Sequence, residues 1–175
     1  ISGTDDKMGM ELQTLEYVIA NASKELGLSD KFAKESRVDW HLFKSEIFPH
    51  VLKSMKTGAC GLDALEVWKA MRSFIKGSIE TVVEGREMGR DEYIGLGEDR
   101  VRLTKEKRQE AFQAFESVRA IYKNEGLWDN CDRVLAIHHA FKGGKHKQLA
   151  KFDKVYVDEV QDLTNAELAL LLKMS

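Results

Sequence analysis

Apolar residues recur every three to four positions along most of this chain, the spacing of one face of an α-helix rather than the alternation of a half-buried strand. Leu12, Leu15, Val18, Ile19, Ala22 and Leu26 form the first such face, and Gly27 stands where a glycine just past the last turn would end it. Asp39 reads as the N-cap of a second helix that buries Trp40, Phe43 and Ile47. Pro49 has no amide to donate, so this stretch should form two short helices or one bent one. A third stripe, Leu65, Trp68, Met71, Phe74 and Ile75, occupies residues 62–76 and stops at Gly77.

Between residues 84 and 109 acids and bases alternate with glycines at 85, 89, 95 and 97. This region should be solvated, with short helical turns around Tyr93, or else be a mobile insertion loop. Thr104 then N-caps a long helix whose Ala111, Phe112, Phe115, Val118 and Tyr122 share a face, ended by Gly126. A further helix opens at Asp129, carries Val134, Leu135 and Ile137 inward, and is closed by Gly143-Gly144.

One segment breaks the helical pattern. Val155-Tyr156-Val157 shows no alternation, as expected for a strand covered on both faces, and Asp158-Glu159 follow at its C-terminal lip. Thr164 and Glu167 then make a capping box for a helix rich in leucine at 168, 170, 171 and 172. No other segment reads convincingly as a strand, so the remaining sheet is expected to come from outside these 175 residues.

The composition, 43% apolar and 32% charged, suits a soluble body with one good core. The net charge of -2 gives no bulk attraction to nucleic acid or anionic membrane, so any such binding requires a local basic surface. The most basic segment is Lys142, Lys145, Lys147, Lys151 and Lys154, opposed only by Asp153; with Phe152 as the single interleaved aromatic, a solvated loop is favoured over a phosphate-contacting face. No apolar run approaches the roughly 18 residues of a membrane span, and the first residues carry no basic and apolar signal pattern. Cys60 and Cys131 lie far apart with no C-x-x-C partner, which suits buried, reduced thiols and an intracellular setting, cytosol or nucleus. Cys131, His138, His139 and His146 suggest zinc, but a helix sets His138 and His139 about 100° apart, so both cannot face one ion. Trp40, Trp68 and Trp128 read as core or interdomain anchors rather than base-stacking platforms.

The chemistry concentrates in the acidic pair. A buried strand ending in two adjacent carboxylates is how P-loop ATPases hold magnesium and aim a water at a terminal phosphate, because ligands of such sheets bind outside the strand C-termini. The residues D-E-V-Q-D at 158–162 resemble motif II of superfamily 1 helicases of the UvrD type, whose pattern is D-E-x-Q-D. Val38 to Pro49, Val67 to Ser78, Glu92 to Gly97 and Phe152 to Leu163 are similar, more narrowly, to the UvrD-like domain of large helicase-like proteins that also carry tetratricopeptide and ankyrin repeats. The resemblance implies a fragment of an α/β P-loop NTPase of the RecA-like class. Residues 1–37, a helical lead-in, have no counterpart in that likeness and stay unassigned, while 38–150 would be a mostly helical insertion of the 1B type and 151–175 a piece of the RecA-like core with one strand and its following helix. It further implies ATP and Mg2+ as cofactors, with Asp158 as metal ligand, Glu159 activating the hydrolytic water, and Gln161 sensing the γ-phosphate. Asp162 would tie the loop in place. The implied partners are single- or double-stranded nucleic acid, DNA or RNA, and the remainder of a parent protein.

Two departures narrow that expectation. Asp129-Asn130-Cys131-Asp132-Arg133 keeps the aspartates of the family's D-F-x-D-L motif but not its Phe or Leu. The sequence also holds no G-x-x-x-x-G-K-[ST], since Gly143-Gly144-Lys145 is followed by His146, so these residues alone should neither bind ATP tightly nor hydrolyse it.

Overall fold

The computed structural model describes residues 13–55, 61–144 and 152–175. The first helix, α1 (Leu15–Glu25), begins where Thr14 Oγ1 accepts the Tyr17 amide and ends in a left-handed Gly27, φ 69°. Leu28 N–H donates to Ser23 O and Gly27 N–H to Lys24 O, a Schellman closure that satisfies two of the last carbonyls. Val18, Ile19 and Ala22 are buried as the pattern requires, with Leu26 beside them; Leu12 lies outside the described residues.

Pro49 bends its helix instead of breaking it. Asp39 accepts the Leu42 amide at 2.9 Å and opens α2 (Trp40–Leu42), a π-turn covers Phe43–Ile47, and α3 (Phe48–Ser54) follows without a gap. The wider turn shifts the hydrogen-bond register so that the proline falls at the start of a new α segment, where a missing amide costs little. Phe43 and Ile47 are buried and Trp40 is half-buried against Phe43 and Trp68.

A second π-turn explains why the third stripe was only partly legible. Asp63 and Glu66 cap α4 (Ala64–Lys69), and a π-turn over Ala70–Ile75 adds an extra residue to the coil. The buried face becomes Val67, Ala70, Met71 and Ile75, while Leu65 is 42% exposed. Downstream, α5 (Ile79–Glu84) follows, and α6 (Arg90–Ile94) forms within the stretch expected to be solvated; the helical turn at Tyr93 is present, but that ring is fully buried, with Met88 and Val101 in the same core. The long helix α7 (Lys105–Glu125) and α8 (Asn130–Lys142) follow their predicted caps, Thr104, Gly126 and Asp129.

Two hydrophobic bodies result. The middle of the chain packs Phe43, Met71, Tyr93, Phe112, Phe115 and Val118 together. The second body joins α1, Val82, α8 and α9 (Asn165–Met174) through Ile19, Val134, Ile137 and Leu170. The three tryptophans pack as anchors: Trp128 is 4% exposed, donates its indole N–H to Ala33 O, and carries the Arg133 guanidinium 4.1 Å from its ring centre.

The predicted core strand is not present. Among the described residues the only backbone bridge joins Arg37 to Trp128, and the architecture is helical. Val155-Tyr156-Val157 runs as irregular chain with Tyr156 85% and Val157 37% exposed. A strand exists only when a neighbour takes up its amides and carbonyls, and no described segment lies beside this one to do so. Among the described residues no helix is long and apolar enough to cross a membrane.

Candidate functional site

The acidic loop is free at its tip and tied at its far end. Asp158, Glu159, Val160, Gln161 and Asp162 are all exposed. Glu159 adopts φ 51°, ψ 43°, a left-handed conformation that a β-carbon disfavours, and its amide donates to Asp158 Oδ1 at 2.9 Å. A short 3-10 turn, Val160–Asp162, follows, and the Gln161 amide reaches back to the Glu159 carboxylate. Asp158, Glu159 and Gln161 are therefore gathered in one solvent-facing turn.

Behind them the chain is anchored by α9. Thr164 Oγ1 accepts the Glu167 amide at 3.2 Å while Glu167 Oε2 accepts the Thr164 amide at 2.8 Å, so the capping box forms as the sequence foretold. Glu167 is almost fully buried, and Arg72 on the second π-turn sets its Nη2 3.4 Å from that carboxylate and 3.3 Å from Asp162 O. Gly77 O accepts the Ala166 amide, and His138 Nε2 donates to Ala166 O at 2.9 Å. Burial, ahead of the nearby Lys173 and Lys142 charges, lowers the pKa of His138, which keeps the ring neutral in this role.

Arg72 escaped the sequence reading although it lies in the stretch from Val67 to Ser78 that carries the family resemblance. So did Lys76, whose Nζ sits between Asp129 and Asp132, 5.0 Å from the Tyr122 ring centre. Asp129 and Asp132 thus both hold Lys76, and Asp129 also caps α8.

What the turn offers chemically is two hard oxygen donors and an amide facing water. That is the donor set magnesium accepts from a protein when a substrate's phosphates and waters complete the shell. Among the described residues no group of three or more His, Cys, Asp or Glu is placed to hold a metal by itself. The zinc candidates are otherwise engaged: His138 as above, His139 Nε2 on Gly85 O, and Cys131 Sγ 3.7 Å from Arg72 O, with its thiol pKa pushed up by burial. His146, Cys60, Lys145, Lys147 and Lys151 lie outside the described residues. A separate cleft of about 980 Å³ opens between the segment around Phe32, the C-terminal part of α7, and α8; no residue of the acidic loop lines it.

No family model and no solved structure matches the chain. It is 34% identical over 139 residues to TPR and ankyrin repeat-containing protein 1 of Homo sapiens, a match that takes in 78% of this chain and 4% of that protein. The chain therefore spans only a small part of the length of the curated relative it matches.

Proposed function

We propose that this segment is the motif II-bearing part of a helicase-type ATPase, in which Asp158 holds Mg2+, Glu159 takes the proton of the attacking water and Gln161 reads the γ-phosphate. The observation that carries the reading is the gathering of those three side chains in one exposed turn, backed by a capped helix that Arg72 and Gly77 hold in register. Bound Mg-ATP supplies the scissile phosphate. The chain's own contribution is two solvent-facing carboxylates, one placed to serve as oxygen ligand and the other as base when nucleotide arrives. The phosphate-cradling loop and an arginine finger come from other parts of a longer protein, and nucleic acid, DNA or RNA, is the partner whose binding the hydrolysis serves.

The test uses that longer protein. Magnesium-dependent phosphate release, stimulated by single-stranded nucleic acid and reduced at least about 100-fold by Glu159→Gln, is the expected result. On the 175-residue chain alone, Mn2+ should broaden the amide signals of Asp158 to Gln161 at millimolar concentration, and Asp158→Asn should remove the effect.

A second reading is favoured by the likeness to a protein named for tetratricopeptide and ankyrin repeats and by the lack of a phosphate loop in this sequence. In it the segment is an ATPase-like module that serves only as architecture. No phosphate release from the longer protein with nucleic acid and magnesium present, and no Mn2+ broadening in the chain, would establish that reading against the first.

A further inference from the structure

The 980 Å³ cleft is independent of the acidic loop and has a charge of its own. Lys31, Arg86, Arg119 and Lys123 stand exposed around it, while Glu87 is the one carboxylate at the rim; Asp132, deeper in, is tied to Lys76. Arg119 lies 3.6 Å from Glu87 and Arg86 is held by Glu92, but Lys123 has no ion pair among the described residues. In a chain of net charge -2 this is a local concentration of cations.

The floor between those cations is aliphatic. Leu127 and Leu135 are half-buried and face the cleft with Ala136 and Ala140. The aromatic rings that could stack on bases are not available: Phe32 and Trp128 are 6% and 4% exposed, with Trp128 covered by Arg133. Single-stranded nucleic acid is gripped by stacking platforms together with a cationic groove, and only the second is present. An amphipathic helix asks for what is here, an apolar trough for side chains at i, i+3, i+4 and i+7, with a charged rim to meet its flanks.

We propose that this cleft is a docking site for an acidic amphipathic helix of a partner protein, its leucine-type face on Leu127 and Leu135 and its glutamates against Lys31 and Lys123. The charge pairing sets which helices are accepted and speeds their arrival, while the apolar floor holds them.

The test is fluorescence anisotropy of the full chain with a labelled synthetic helix of about 16 residues, leucine on one face and glutamate on its flanks. Binding should weaken several-fold when salt is raised from about 50 to about 300 mM, and about tenfold or more in Lys31→Glu/Lys123→Glu. Both lysines are exposed, so an unchanged melting temperature verifies that the fold is intact. Leu135→Glu should abolish binding. The same peptide with lysine in place of glutamate should not bind. Equal binding of the acidic and lysine peptides, no binding of the acidic one, or an oligothymidylate that binds more tightly and responds to the same substitutions would each overturn the proposal.

Discussion

Lys76 holds its ammonium 2.9 Å from the Asp129 carboxylate inside the protein, the two side chains being 3% and 7% exposed. Burial works against the charge on Lys76, yet Asp129 and Asp132 outweigh it and raise the pKa of the lysine well above its usual range. The pair also joins the end of the second π-turn to the start of α8, so it fixes how the two hydrophobic bodies meet.

Removing the cation leaves two carboxylates facing each other without compensation. Lys76→Ala should destabilise the chain by about 3–5 kcal/mol. Lys76→Met/Asp129→Asn/Asp132→Asn should recover much of that loss. Urea denaturation of the variants, followed by circular dichroism, measures both.

Asp132 gives the cluster a pH signature. Burial, with Asp129's charge next, pushes its carboxyl up to about 6 against the pull of Lys76. Between about pH 4 and 6 the folded protein therefore keeps a proton that the unfolded chain has lost, and this group's contribution to stability falls as pH rises through that window. Asp132→Asn should flatten that part of the profile relative to the unmodified chain. Urea midpoints taken at about pH 4, 5, 6 and 7 test it; an unchanged difference between the two proteins across the window would count against the assignment.

Gly77 is required by space. A β-carbon there would lie 2.0 Å from Arg72 O and 2.9 Å from Thr164 Cβ. Because the first obstacle is backbone, Gly77→Ala must distort the end of the second π-turn and disturb its seat against Thr164, at a cost of about 1–3 kcal/mol or more. A lowered melting temperature, with altered amide shifts at Asp162 to Glu167, is the expected outcome.

Thr164→Val keeps the shape of the side chain and removes the oxygen that caps Glu167. The loss should be about 1 kcal/mol, read from denaturation midpoints.

At Glu159 stability and the proposed chemistry pull in opposite directions. Its left-handed backbone disfavours any side chain, so Glu159→Gly should stabilise the chain by about 1 kcal/mol. The same change removes the carboxylate proposed to activate water, so on that proposal hydrolysis by the longer protein should be lost. A destabilised Glu159→Gly chain in thermal melts would mean that the Gln161 hydrogen bond to the Glu159 carboxylate outweighs the backbone strain.

The legible and illegible parts of this fold divide along one line. The ends of α7 were readable because Thr104 and Gly126 act on backbone groups within a turn of themselves, and the Thr164–Glu167 box was readable for the same reason. The π-turns were not, since one extra residue per turn rotates the buried face without changing which residues are apolar. Val155 to Val157 misled because hydrophobicity marks a segment that can be buried, while a strand also needs a hydrogen-bonding neighbour. At the candidate site Asp158, Glu159 and Gln161 fall within one short stretch of sequence and could be singled out from it as candidates; Arg72 acts across 90 residues on Asp162 and Lys76 across 53 on Asp129, distances at which sequence pattern carries no signal.

The order in which the chain is made matters for the second body. Its first member, α1, leaves the ribosome ahead of the partners that cover its apolar face, α8 and α9, which end at Lys142 and Met174. The buried members of the middle body run from Val38 to Tyr122 among the described residues, so it can condense while synthesis continues. Val18, Ile19 and Ala22 therefore wait uncovered until α8 and α9 have been made, and it is this nascent helix that a chaperone would be called on to shield.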